Sequence, residues 1–312
     1  MPLGEQCHIW FPAAACGKNL TADTITFDQF KAHVTKPASI QCWNFTISME
    51  SEQSRLLSKP LCREDCFPGL RRWEDYVEVL VVRNCQLRSY RELFGATHII
   101  VTLPESLQRD NSDDNFVVTD GCGYSRLYVQ LLSHFLGLDA VWMLDDNIDV
   151  CYKLECEADV TDSSMKLVAC GFSDVMQHIE QVYFGTLSHG PNELANFKMC
   201  DNETATAKTI EDVTGHMKNY GIFGMGRARI LHNPEIANPI SKTHSIYSFI
   251  LMNVRDTIAR GVFYPNKPIW EDIEMLHKLD EQNFHVCKFR MFTHIKTYRR
   301  EYGFAAWFKR TY

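Results

Sequence analysis

Three short clusters hold the residue types that do chemistry. Asp145-Asp146-Asn147 ends an apolar run, Glu271-Asp272 opens an amphipathic one, and His294 lies near the end of an alternating segment. Two or three oxygen ligands on a short rigid turn suit a hard divalent cation that also holds phosphate. A carboxylate beside a cleft can take a proton from an acceptor as general base. Both later clusters have plainer readings. Carboxylates in a first turn complement the positive end of a helix, and a lone histidine on a strand is usually a polar-face residue. No serine or cysteine stands out beside a base as a nucleophile.

The elements around these clusters suggest how they are positioned. Gly121 and Gly123 sit in a loop that leads to Arg126, and Leu127, Leu131, Leu132 and Phe135 recur at helical spacing until Gly137. The run from Ala140 to Leu144 reads as a buried strand that passes directly into the acidic turn. A loop, a helix, a buried strand and then acidic residues at the strand's carboxyl end is where open α/β sheets place ligands. Upstream, Tyr76 to Val82 reads as a strand followed by Arg83-Asn84, with a helix over 89–94 and further strands over 98–103 and 116–119. This rhythm predicts an α/β fold with a mostly parallel central sheet flanked by helices. Downstream, the acidic stretch to Asp162 reads as an exposed loop, and 173–184 as an amphipathic helix with Ser173 as its cap. Tyr220 to Arg229 places Gly221, Gly224 and Gly226 too irregularly for a dinucleotide fingerprint, so close backbone approach to a ligand is the better account. The spacing predicts a helix over 245–260 closed by Gly261 and another that starts at Glu271-Asp272. A strand over 286–295 would place Cys287, Phe289, Met291, Thr293 and Ile295 on one face and His294 on the other.

Composition narrows the function classes. With 312 residues and 45% hydrophobic content, the chain can bury a substantial core. It has no apolar run of membrane-spanning length, so no membrane partner is expected. The first residues lack a charged region ahead of an apolar one, and the 12 cysteines have no regular spacing. Reduced thiols in nucleus or cytoplasm fit better than a secreted disulfide scaffold. Cys62 and Cys66 form only one close pair, which fits packing thiols better than a zinc site. The net charge of −7 argues against a generic nucleic-acid coat. Near the end, Lys288, Arg290, Lys296, Arg299 and Arg300 interleave with aromatics, either as solvated charges around core rings or as a phosphate-binding surface. Residues 1–70 read as a loop-rich N-terminal segment and 71–312 as the principal domain.

Each motif is modest alone, but their order is specific. GCGYSRLYVQLL and VWMLDDN, followed by WEDIEM and FRMFTHIK, resemble nucleotide-sugar glycosyltransferases of the GT-A fold. More narrowly, GCGYSRLYVQLL and VWMLDDN resemble the base-J-associated (TET/JBP-associated) branch and the related C-terminal domain of estrogen-regulated growth-regulation (GREB) proteins. The resemblance runs from about Tyr76 to Tyr298 and leaves residues 1–70 uncovered. It implies Asp145 and Asn147 at the two D-x-D positions, holding Mn²⁺ or Mg²⁺ against the diphosphate of a UDP-sugar, with His294 as the late metal ligand. Asp272, with Glu271 beside it, would occupy the place of the base of inverting members. Asp146 would face sugar or ribose, Arg126 with Gly121 and Gly123 would contact nucleotide or sugar, and Arg83 and Asn84 would border the uridine. The implied activity moves a hexose or N-acetylhexosamine to a hydroxyl, on 5-hydroxymethylpyrimidine in DNA or on Ser/Thr of nuclear proteins. One departure stands out: Asn147 replaces a carboxylate, which weakens metal binding. It leaves open a catalytically weak or inactive nucleotide-binding domain as the alternative.

Overall fold

A computed structural model of the chain describes residues 9–10, 43–47, 77–95, 98–104, 122–156, 165–183, 220–227, 240–242, 246–267 and 270–296. The first half contains strands β1 (Ile9–Trp10), β2 (Trp43–Ile47), β3 (Val77–Val82), β4 (Ile99–Thr102) and β5 (Ala140–Asp145). Helices α1 (Leu87–Phe94) and α2 (Cys122–Phe135) precede β4 and β5 respectively. The second half contains β6 (Ile148–Cys156), β7 (Met165–Cys170), α3 (Phe172–Tyr183), β8 (Tyr220–Arg227), β9 (Ile240–Lys242), β10 (Phe249–Asn253), α4 (Val254–Ala259), α5 (Glu271–Glu281) and β11 (His285–Lys296). The strand expected over 116–119, the Cys62/Cys66 pair, Gly121, Arg299 and Arg300 lie outside the described residues.

The strands form one sheet in the order β1-β4-β3-β2-β5-β10-β8-β11-β6-β7, with β9 also paired to β11. From β4 through β3 and β2 to β5 the pairings are parallel, so these strands end at one edge. β2 lies between β3 and β5, which draws a central strand from the segment before residue 71. β5 is buried along its apolar length because helices cover both faces. Val141 and Met143 pack toward Tyr128 and Leu132 of α2 and Met275 and Leu279 of α5. Trp142 and Leu144 point the other way, toward Phe172, Val175 and Ile179 of α3. Glu180 accepts a 2.6 Å hydrogen bond from the Trp142 indole.

The sheet is mixed, which corrects the expectation of a mostly parallel one. β10 runs antiparallel to both β5 and β8, and β6 runs antiparallel to β11. The cause is local. Two turn residues, Asp146 and Asn147, separate β5 from β6, far too few for the crossover that a parallel neighbour needs. Other readings change with it. The expected acidic loop after Asp149 is largely strand β6. The helix expected over 245–260 divides into β10 and the short α4, because a five-residue apolar run fits either period. Ser248 takes φ +79° just before β10, and at the break after the strand the Asn253 side chain accepts from the Asp256 amide at 3.1 Å to cap α4. Helix α3 begins at Phe172, so Ser173 is not its cap. Asp174 accepts from the Gly171 amide instead. Gly137 and Gly261 have φ of +76° and +74°, as expected of left-handed helix ends. The glycines of β8 meet protein rather than a ligand: at Gly224 a β-carbon would fall 2.4 Å from the Phe249 carbonyl oxygen.

Candidate functional site

The site is built around Arg126, four residues into α2 and 4% exposed. Its Nη2 donates to Asp145 Oδ1 at 2.8 Å and its Nη1 to Glu271 Oε1 at 2.9 Å. One guanidinium therefore ties the end of β5 to the first turn of α5, where Glu271 lies 145 residues along the chain from Arg126. A planar fork suits this task, since it can serve two carboxylates without bending. Burial alone would lower the arginine's proton affinity, but Asp145, Tyr264 and Glu271 raise it, and the net shift is upward. The Tyr264 ring lies 5.8 Å from the guanidinium carbon.

The segment between α4 and α5 is fixed to α2 at two further points. The fully buried Gln130 donates to the Val262 carbonyl at 2.8 Å, and its Oε1 accepts from the Tyr264 amide at 3.0 Å. Gly123 faces the same segment: a β-carbon there would lie 2.5 Å from the carbonyl oxygens of Pro265 and Lys267 and 2.8 Å from Glu271 Cβ. The resemblance assigned Gly123 to nucleotide or sugar; the structure sets it where α2 packs on the approach to α5.

Lys296, at the end of β11, completes the cluster. Its Nζ donates to Asp145 Oδ2 at 2.5 Å, and both side chains are largely buried. Burial would raise the Asp145 carboxyl, but Lys296 and then Arg126 hold it well below the usual carboxylate range. Glu271 shifts the other way: burial raises it against the pull of Arg126. Asp272, next in sequence, is partly exposed and accepts from the Ile273 amide at 2.9 Å. The nearby Cys122 thiol is pushed up to about 12, by burial first and then by Asp145. It stays protonated, so it supplies no thiolate nucleophile.

The three residues implied as metal ligands are placed unequally. Asp145 holds Arg126 on one oxygen and Lys296 on the other. Asn147 lies on the turn, with Oδ1 buried and without a hydrogen-bond partner among the described residues. His294, expected on the face opposite the strand's apolar residues, is fully buried, its ring centroid 6.4 Å from that of Phe249. The irregular pairing of β11 around Phe289/Thr293 and Ile295/Lys296 disturbs simple alternation, and Ile295 is the exposed neighbour. Among the described residues no group of three or more His, Cys, Asp or Glu side chains is placed to hold a metal ion. As arranged, the set does not fit a divalent cation. Its charged ligand, Asp145, already holds a cation on each oxygen, and a divalent ion there would have to displace one of them.

Asp146 is 7% exposed beside Asp145. Arg83 and Asn84 follow β3, whose carboxyl end lies at the same sheet edge as that of β5 because both pair in parallel with β2. Lys296, Gln130 and Tyr264 were not singled out as site residues. Lys296 belongs to the basic stretch read either as solvated charges or as a phosphate-binding surface, and only the fold shows that it reaches Asp145.

An acidic turn at the carboxyl edge of parallel strands, tied to a helix start bearing two carboxylates, lies where α/β sheets place ligands. A family model described as TET-associated glycosyltransferase matches residues 70–303, well over half of the chain, and the protein belongs to that family. No match is found among curated proteins. Among the described residues no helix is long and apolar enough to cross a membrane.

Proposed function

We propose that the protein is an inverting glycosyltransferase that moves a hexose or N-acetylhexosamine from a UDP-sugar to a hydroxyl acceptor. One observation supports the reading: Arg126 binds Asp145 and Glu271 together, so the strand-end turn and the first turn of α5, with its two carboxylates, are tied side by side. The donor's diphosphate would lie at the Asp145–Asn147 turn, with Asp146 toward sugar or ribose and Arg83-Asn84 toward the uracil. Glu271 is committed to Arg126, so Asp272 is the residue assigned to chemistry.

The assigned step balances simply. Asp272 takes the proton of the acceptor hydroxyl as its oxygen forms a bond to the anomeric carbon. The bond from that carbon to the β-phosphate oxygen breaks, and its electron pair leaves with UDP. Attack opposite the leaving group inverts the centre, as in inverting sugar hydrolysis with a hydroxyl in place of water. The acceptor is a hydroxymethylpyrimidine in DNA or a Ser/Thr hydroxyl of a nuclear protein, and the net charge of −7 weighs against DNA. A nuclear or cytoplasmic location accompanies either acceptor.

The test is mass spectrometry of incubations with several UDP-sugars, hydroxymethylated DNA and nuclear extract. Transfer to either acceptor is the expected outcome. Asp272→Asn should lower turnover by about 10²–10⁴-fold while UDP affinity stays within twofold. UDP binding without transfer to any acceptor would favour a non-catalytic nucleotide-binding domain.

A further inference from the structure

We infer that Lys296 is the cation that meets the donor's diphosphate, and that the site works without a divalent ion; the inference rests on the glycosyltransferase reading above. Three observations lead there. Asp145, the charged residue at the expected metal position, is flanked by Lys296 Nζ at 2.5 Å and by an Arg126 nitrogen at 2.8 Å. Both oxygens of Asp145 and one of Glu271 are taken up by Arg126 and Lys296, so a metal at Asp145 would have to displace one of these partners. Asn147, the other residue at the expected metal position, is a neutral amide on the turn immediately after β5.

The amide fits the ammonium. Where a metal lies between turn and diphosphate, a second carboxylate is useful as a ligand. Where none does, a carboxylate would repel the phosphates directly, whereas an asparagine can donate its amide hydrogens to them. Lys296 supplies the compensating charge. An ammonium has three N–H donors, and the pairing to Asp145 uses one of them. Its side chain is held by Asp145 and is 11% exposed, so it is not closed off from solvent. Arg126 is the less accessible cation, its side chain 5% exposed and bridging two carboxylates, so Lys296 is the one assigned to the phosphates. As the bond to the anomeric carbon breaks, the electron pair adds negative charge to the β-phosphate. A preorganised ammonium in a water-poor setting stabilises that charge without reorganising.

The test is calorimetry on the full chain with UDP and with uridine, in EDTA and in Mn²⁺, paired with a donor-hydrolysis assay under both conditions. The wild-type protein should bind UDP in EDTA within about twofold of its affinity in Mn²⁺, and should prefer UDP to uridine by tenfold or more, about 1.4 kcal/mol. Lys296→Gln should remove most of that preference while uridine affinity stays unchanged, and Lys296→Arg should retain it. UDP binding and hydrolysis that appear only with Mn²⁺ would overturn the inference and leave the glycosyltransferase reading intact. A Lys296→Gln protein that keeps the UDP preference would also overturn it. Failure to bind UDP in either condition would remove both readings. The wild-type comparison needs no variant, so it decides the question even if Lys296→Gln does not fold.

Discussion

At the scale of single residues, Asp145 performs a different task from the one its sequence position suggests. Placed where a metal ligand is expected, it is the shared anion of a lysine and an arginine. Asp145→Ala would leave two buried cations with one carboxylate, and breaking a buried pair in this way costs about 3–5 kcal/mol. The measurement is a denaturant melt, with loss of donor turnover as the parallel readout; wild-type stability and rate would refute the assignment. Arg126→Lys should not rescue the site fully, because a point charge cannot span both carboxylates as a guanidinium does. The contrast between Glu271 and Asp272 belongs to this scale too. Of two adjacent acids, the buried one is held by Arg126 while its neighbour remains open.

At the scale of elements, the geometry depends on how α2 meets the segment leading into α5. Gly123→Ala would drive a methyl group into two backbone carbonyls 2.5 Å away. Overpacking of this kind costs about 1–3 kcal/mol. Because Glu271 Cβ is the third contact, the variant should also weaken UDP-sugar turnover more than UDP binding, read as a fall in kcat. A second contact, α3 on β11, carries a pH dependence. His178 packs edge-on against Phe289 and Phe292, and burial followed by Lys153 lowers it from 6.5 to about 4. The unfolded chain therefore takes up a proton at a higher pH than the folded one does. Stability is full above 6.5 and falls as pH drops toward 4, with a contribution of about 3 kcal/mol lost across that window. Thermal melts from pH 7 to pH 4 should show this loss, and His178→Phe should flatten it.

At the scale of the whole molecule, the sheet joins distant parts of the chain. β2 pairs with β3 on one side and β5 on the other, so residues 43–47 are central although the family match begins at residue 70. A fragment of residues 71–312 would expose a strand edge on β3 and another on β5, each a template for aggregation. It should express poorly and lack a cooperative melt by circular dichroism; a fragment melting like the full chain would show that β2 is dispensable. The mixed topology has its own use. By placing β11 between β8 and β6, it brings Lys296 within reach of an aspartate 151 residues away in sequence.

Local signals were legible in the sequence because they depend on near neighbours. The apolar run of β5, the helical spacing of α2 and α5 and the left-handed glycines after α2 and α4 were all visible there. The order of the motifs marked the glycosyltransferase family, which the match over residues 70–303 bears out. Strand direction after the acidic turn, the division of 245–260 into strand and helix, the burial of His294 and the partners of Asp145 were decided only in three dimensions. An apolar run of five residues has no period of its own, and a lysine reads as solvated until a distant carboxylate is folded against it. Which charges neutralise one another depends on distances through space, and only the paired strands bring those groups together.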